Sequence, residues 1–216
     1  MNFWPMIAEL LSGLAVSVEI FVFTLLIALP FGFVVAFGRM SRNPLVATAF
    51  RVYISVVRGT PLMLQILFVY FAPYFMFGMS LALYPRLLAT VLAFSLNYAA
   101  YFAEIYRGGI LSIDRGQAEA AVALGMSRSA AFLRIILPQT VKRVIPAVGN
   151  EVITLVKDTS LAFTIAVTEM FTLAKQLSSA NTTMMPLVAA GVFYYLFNFI
   201  VAWGMERLEK RLSYYD

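Results

Sequence analysis

The sequence of 216 residues contains no cysteine and no histidine. Without cysteine, the chain can form no disulfide bond, no thiolate metal site and no thiol nucleophile. Without histidine, it lacks the commonest metal ligand and the side chain most often used as a general base near neutral pH. It also lacks a G-x-x-x-x-G-K-[ST] segment that would cradle phosphates. We therefore expect that the chain is not catalytic alone and cannot hydrolyse ATP.

Charged residues are scarce as well. Only 12% of the residues are charged, 62% are hydrophobic, and the mean hydropathy is +0.85. Soluble domains are nearer one quarter charged and one half apolar. The composition predicts an integral membrane protein that contacts the lipid bilayer, and we expect no nucleic-acid partner despite the net charge of +5.

Five apolar runs are each long enough to cross about 30 Å of hydrocarbon as a helix. They cover residues 14–37, 53–77, 87–106, 144–171 and 186–205. A helix also satisfies its own backbone hydrogen bonds in lipid, which a single strand cannot do. The sequence therefore predicts an all-α fold with five transmembrane helices in one permease domain, residues 1–216. The polar break Lys157–Ser160 interrupts the fourth run, and Arg58–Pro61 predicts a helix kink in the second.

The basic residues are distributed unevenly between the loops. Twelve of the 16 Lys and Arg residues follow runs one, three and five, whereas Arg86 and Lys175 are the two in the opposite loops. Because basic loops remain in the cytoplasm, we expect the N-terminus outside and the C-terminus in the cytoplasm. The first 13 residues contain no Lys or Arg, unlike the start of a secretory signal, so we expect the first run to be retained.

The longest predicted cytoplasmic loop, residues 107–143, has a helical pattern of its own. Asp114 is a candidate N-cap, and closely spaced alanines follow it. Gly125 can end that helix in a left-handed turn, Ser127 can cap a second helix, and Pro138 is expected to help stop it. This helix–turn–helix suits docking into a groove on another protein. Periodicity alone leaves a second interpretation open, a helix lying on the lipid headgroups.

The same loop resembles the EAA loop in permease subunits of bacterial ATP-binding-cassette importers. The matching residues are Glu119-Ala120-Ala121, Gly125, Ile135 and Leu137-Pro138, seven positions over 20 residues. Three further segments resemble the polar amino-acid branch of this family: VVRGTPLMLQ (56–65), YFAEIYRGGILSIDRGQ (101–117) and GNEVITLVKDTSL (149–161). The resemblance covers about residues 13–211. One departure is Glu19, where we expect a neutral polar residue in many relatives.

The resemblance implies an assembly and a location. The loop would couple this chain to an ATP-binding-cassette ATPase subunit through Glu119, Ala120, Ala121, Gly125, Met126 and Ser127. ATP and Mg would be bound by that ATPase, and this chain would bind no cofactor or metal. The other expected partners are a second permease copy or close homologue and an extracytoplasmic amino-acid-binding protein. The expected location is the bacterial inner membrane, crossed several times.

Polar side chains inside apolar runs are candidates for contacting a substrate, because they are costly in lipid. The candidates are Glu19, Gln65, Asn97, Glu151, Lys157, Asp158, Thr159 and Ser160. Lys157 can meet a substrate carboxylate and Asp158 an ammonium group. The alternatives are that Lys157 and Asp158 neutralise each other, and that Gln65 and Asn97 make hydrogen bonds between helices.

A substrate class follows from the acidic candidates. Glu19, Glu151 and Asp158 favour a cationic side chain, so arginine, lysine or histidine is expected, while glutamine, glutamate and opines remain alternatives. A channel or secondary transporter that works without ATP is the alternative class of function. The EAA loop separates the two classes, because such proteins need no contact surface for an ATPase.

Overall fold

The computed structural model describes residues 3–81 and 85–212, which form helices and turns and contain no strand. The α-helices are α1 Phe3–Arg39, α2 Pro44–Gly59, α3 Leu62–Phe77, α4 Arg86–Leu111, α5 Arg115–Ala123, α6 Arg128–Ala131, α7 Leu137–Asp158, α8 Met170–Asn181 and α9 Met185–Leu212. A π-helical turn, Phe132–Ile136, connects α6 to α7, and a 3₁₀ helix, Thr159–Ile165, follows α7. The predicted all-α fold is confirmed.

Helix α1 packs along α4 through small side chains. A Cβ atom added at Gly32 would lie 2.9 Å from the Cβ atom of Phe102, so this position needs glycine for the two helices to approach. The ring of Phe33 stacks on Tyr106 with centroids 3.9 Å apart. Such close contact is typical of helix pairs in membranes, where van der Waals packing replaces the hydrophobic effect as the main attraction.

The second apolar run is two helices and not one straight crossing. α2 and α3 meet at an angle of 113°. Thr60 is extended, with φ −123° and ψ 146°, as expected for a residue before proline, and Pro61 precedes the new helix. The Tyr53 hydroxyl donates to the Leu96 carbonyl, 2.6 Å away, so the middle of α2 contacts the middle of α4. The expected kink is confirmed, although it is a sharp reversal that breaks the span.

The fourth apolar run also changes its helix type. α7 ends at Asp158, the 3₁₀ helix continues to Ile165, and Ala166 has a left-handed φ of 56°. The predicted break near Lys157–Ser160 is therefore confirmed. The structure has no continuous helix over residues 144–171, since α8 is a separate short helix.

Pro138 does not stop the second loop helix, so that expectation was wrong. The chain stays helical from Arg128 through the π-helical turn and into α7. Proline removes one backbone donor and clashes with the carbonyl four residues earlier. A π-helical turn widens the backbone at the residues just before Pro138, which provides room for its ring.

Three described helices are long and apolar enough to cross a membrane: α1, α4 and α9. The broken pair of α2 and α3 makes a fourth span if it is counted as one. α7 has 22 residues, about 33 Å, but polar side chains interrupt its apolar character. Length and apolar composition therefore support three or four spans in the described residues and do not confirm the predicted five.

Candidate functional site

Two carboxylates share one face of α7. Glu151 and Asp158 are seven residues apart, which is two helical turns and about 10 Å along the axis. Both side chains are half-buried. The Tyr98 hydroxyl on α4 donates to Oδ2 of Asp158 over 2.8 Å, and Tyr98 itself is only 2% exposed. A buried tyrosine thus fixes one carboxylate, while the other has no hydrogen-bond partner among the described residues.

Lys157 does not form an ion pair with Asp158. Only three ion pairs are present among the described residues, and none of them involves either side chain. Lys157 is exposed. The expectation that the two residues neutralise each other by direct pairing is therefore not met. Asp158 is left with a tyrosine partner and a second oxygen that can accept further hydrogen bonds.

The Thr159 and Ser160 hydroxyls serve the backbone at the end of α7. Thr159 is fully buried and donates to the Val156 carbonyl over 2.8 Å. Ser160 donates to the Lys157 carbonyl over 2.8 Å. Both bonds satisfy carbonyls where the α-helix tightens into the 3₁₀ helix. In this structure the two hydroxyls support the break.

Gln65 and Asn97 connect the helix break in the second run to α4. The Gln65 amide donates to the Val57 carbonyl over 2.8 Å and to the Thr60 hydroxyl over 2.9 Å. Its oxygen accepts a 3.0 Å hydrogen bond from the Asn97 amide, which is 6% exposed. The structure thus brings the two candidates together as a bond between helices, and it satisfies backbone carbonyls that the break leaves open.

Arg58 is a charged neighbour of this region, for which the sequence predicted only a place in the helix kink. Its guanidinium carbon lies 5.0 Å from the ring centroid of Tyr101, and that ring is 6.4 Å from the ring of Tyr98. Arg58 also lies within electrostatic reach of Glu151. Arg58 is exposed near the start of the second apolar run, and a charged residue within such a run marks a candidate functional position. That signal could have identified it from the sequence.

Glu19 lies apart from these residues. It is exposed on α1, on the same side of the helix as Ala15, Val22 and Leu26, which are also exposed. No hydrogen bond or ion pair within the described residues involves it. The structure therefore brings together Gln65 and Asn97, and also Asp158 with Tyr98, but it does not bring Glu19 to either pair.

The coupling residues form a compact turn beyond the end of α4. Asp114 accepts from the Gly116 amide over 2.6 Å as the N-cap of α5, and Ser127 accepts from the Ala130 amide over 3.2 Å as the N-cap of α6. Gly125 has a left-handed φ of 86°. The predicted caps and glycine turn are therefore confirmed.

The turn leaves much of the loop accessible. Glu119, Ala120, Gly125 and Ser127 are exposed, Met126 is half-buried, and Ala121 is 2% exposed. An open groove of about 700 Å³ runs between α5 and the helix that follows it, with Glu119 and Arg128 on its walls. Across the described residues, no cluster of three or more acidic side chains is positioned to hold a metal ion.

The chain matches known proteins over nearly its full length. The sequence model of the family described as binding-protein-dependent transport system inner membrane component matches residues 28–214. The arginine transport system permease protein ArtQ of Bacillus subtilis is 37% identical over 98% of this chain and 96% of that protein. The L-cystine transport system permease protein TcyB of the same organism is 34% identical over 99% of this chain and 89% of that protein.

A solved structure has a similar fold. A crystal structure of an amino acid ABC transporter with histidines superposes with a TM-score of 0.87 and 30% identity. The match covers 98% of this chain and 99% of the other.

Proposed function

Since this chain belongs to the family of binding-protein-dependent transport system inner membrane components and is a permease subunit of an ATP-binding-cassette amino-acid importer, we propose that its substrate is a basic amino acid. Arginine, lysine and histidine are the members of this class. The relatives' names include both arginine and L-cystine systems, so the choice of substrate rests on the side chains of this chain.

The observation that carries the proposal is the pair of carboxylates, Glu151 and Asp158, on one face of α7. No ion pair neutralises either carboxylate among the described residues. Burial makes an unpaired negative charge costly, so a cationic ligand that approaches both groups stabilises them. A basic amino acid has two cations, the α-ammonium group and the side chain, and therefore complements two carboxylates separated by about 10 Å along the helix.

The transport step uses the helix breaks around this pair. α7 ends at Asp158, and the break between α2 and α3 is bonded through Gln65 to Asn97 on α4, next to Tyr98, the partner of Asp158. The exposed residues Glu119, Gly125 and Ser127 dock on the ATPase subunit, and Ala121 packs inside the turn that presents them. Movement of this turn on ATP binding shifts α7 directly, because the chain is continuously helical from Arg128 to the carboxylates. An extracytoplasmic binding protein and a second permease subunit complete the importer.

Competition uptake into reconstituted vesicles tests the substrate class. We expect arginine, lysine or histidine to compete better than glutamine in the wild-type importer. Asp158→Asn and Glu151→Gln keep the side-chain shapes and remove one charge each. Uptake of the basic amino acid is expected to fall about 10- to 100-fold in each variant, as is typical when one partner of a desolvated charge contact is lost.

Glu9→Gln is the matched control, since Glu9 is an exposed carboxylate near the start of α1, and it should leave uptake unchanged. Glu19→Gln belongs in the same series. If Glu19 faces the substrate path, cationic uptake weakens more than neutral uptake; equal effects remove Glu19 from the site. Preference of the wild type for glutamine, with no selective loss in Asp158→Asn or Glu151→Gln, would overturn the proposal of a basic substrate.

A further inference from the structure

Arg58 is an exposed cation that the rings of Tyr101 and Tyr98 connect to Asp158 on α7, and no ion pair among the described residues involves it. No carboxylate of the described residues lies within ion-pair distance of it, and no hydrogen bond uses its guanidinium group; its contact is the face of Tyr101. Stacking on an aromatic ring leaves the edge of a guanidinium group free. The edge carries five N–H donors in a planar fork that fits a carboxylate.

The nearby acidic residues divide into two groups. Glu104 is already paired, with Arg107 at 2.7 Å and Arg39 at 3.9 Å. Glu151 is within electrostatic reach of Arg58 but forms no ion pair with it. Within the described part of the chain, the cluster therefore contains two carboxylates without an ion pair, Glu151 and Asp158, and one guanidinium group without an ion pair, Arg58.

This charge set complements one class of ligand. A basic amino acid has two cations and one carboxylate, which is the inverse of two carboxylates and one guanidinium group. We infer that Arg58 binds the α-carboxylate of the substrate through its free edge while it remains stacked on Tyr101. The inference rests on the proposed amino-acid substrate, and it adds the residue that recognises the α-carboxylate, which every amino acid carries.

Arg58 fits this role better than Lys157, the other cation near the site. Arg58 is held by Tyr101, which packs against Tyr98, and the Tyr98 hydroxyl is bonded to Asp158. This chain of contacts fixes the guanidinium group relative to the carboxylate that takes a cation. Lys157 is exposed, as Arg58 is, but no ring contact or ion pair within the described residues holds its side chain. A fixed planar fork also binds a carboxylate with two parallel hydrogen bonds, which an ammonium group cannot do.

Arg58 also lies next to the break between α2 and α3. It occupies the last turn of α2, two residues before Thr60. A carboxylate bound by Arg58 therefore contacts the end of one half-helix, while the cationic end of the same ligand contacts α7. The ligand thus connects the broken second span to the helix that continues into the coupling loop.

The test compares arginine with agmatine, which has the same guanidinium side chain and amine but no carboxylate. Binding is measured by calorimetry on the permease–ATPase complex in lipid nanodiscs, without the binding protein, so that its own selectivity does not enter. Arg58→Gln is expected to weaken arginine binding about 10- to 100-fold and to leave agmatine binding unchanged or tighter. Arg207→Gln, at an exposed arginine that lies over the ring of Trp203 on α9, is the matched control and is expected to change the two affinities by less than about threefold.

Equal weakening of arginine binding and agmatine binding by Arg58→Gln would overturn the inference. It would show that Arg58 stabilises the fold or contributes to the general electrostatic potential of the site, and does not bind the substrate carboxylate. A selective loss of arginine binding in Lys157→Gln, with none in Arg58→Gln, would also overturn it.

Size-exclusion profiles of each complex verify assembly, and Arg58→Lys, which keeps the charge, should bind arginine with intermediate affinity. Failure of the proposed substrate class has a different signature: the wild type would prefer glutamine, and Arg58 would then be tested with glutamine and its decarboxylated analogue.

Discussion

The fully buried carboxylate of Glu169 is stabilised by donors and not by a cation. Its oxygens accept from the Phe171 and Thr172 amides, both at 2.7 Å, from the Thr172 hydroxyl at 2.8 Å and from the Tyr194 hydroxyl at 2.9 Å. Two of these bonds cap the N-terminus of α8, and the last one ties α8 to α9. A buried acidic group with this many donors is a structural cap, unlike the half-buried carboxylates of α7.

Removing this cap should destabilise the protein without changing substrate preference. Glu169→Ala loses an N-cap, worth about 1 kcal/mol, and leaves the buried Thr172 hydroxyl without its acceptor, which costs about 1–3 kcal/mol. A thermal unfolding curve of the detergent-solubilised complex should shift down by several degrees. Glu206→Ala, at an exposed i,i+4 pair with Lys210, is the control and should melt like wild type. A selective change in basic amino-acid uptake would contradict the structural assignment.

At the scale of elements, the turn between α5 and α6 depends on the backbone of Gly125. A Cβ atom added there would meet nothing within 4 Å, so crowding is not the constraint. The constraint is its φ of 86°, which β-branched residues strongly disfavour. Gly125→Val should therefore reorient the two loop helices and reduce both ATPase assembly and transport-coupled ATP hydrolysis, while membrane insertion is retained.

Gly125→Asn is the matched control for this turn. Asparagine adds a polar side chain but adopts left-handed backbone conformations more readily than other non-glycine residues. It should retain most of the coupling that Gly125→Val loses. Co-purification of the ATPase and substrate-stimulated hydrolysis provide the two measurements. Normal values of both in Gly125→Val would refute the docking role of the turn.

Local signals predicted these loop elements well because their determinants are close in sequence. Asp114, Gly125 and Ser127 each act within a few residues, and each occupies its predicted position. The 113° reversal between α2 and α3 was beyond such signals, since the RGTP segment predicts a kink but not its size. Gln65 stabilises the reversal by bonding to Thr60, which is close in sequence, and to Asn97, which lies on α4 and is distant in sequence.

The candidate site was predictable only in part for the same reason. Asp158 and Glu151 were identified because charge in an apolar run is visible in the sequence. The partner Tyr98 was not, because it lies 60 residues away on α4. Lys157, the sequence neighbour of Asp158, was the more obvious partner and does not pair with it.

At the scale of the whole molecule, the charged contacts separate into two ends. Arg39 and Arg107 pair with Glu104, and Arg143 donates to the Ser112 carbonyl, which ties the ends of α1 and α4 to the start of α7. At the other end of α4, Arg86 donates to the Tyr70 hydroxyl and the Ala166 carbonyl. The end that is richer in basic residues is expected to face the cytoplasm.

Cysteine labelling tests this orientation, and the absence of natural cysteine gives it no background. Ser127 lies on the coupling turn, and Asn181 is the last residue of α8; both are exposed. Ser127→Cys should react with a membrane-impermeant maleimide only from the cytoplasmic side, and Asn181→Cys only from outside. Because Ser127→Cys also weakens the cap of α6, Leu124→Cys, at a position 85% exposed on the same turn, is the control. The predicted topology places residues 127 and 181 on opposite sides of the membrane, with an odd number of crossings between them. Reaction of the coupling-turn cysteine and the α8 cysteine from the same side would contradict this topology.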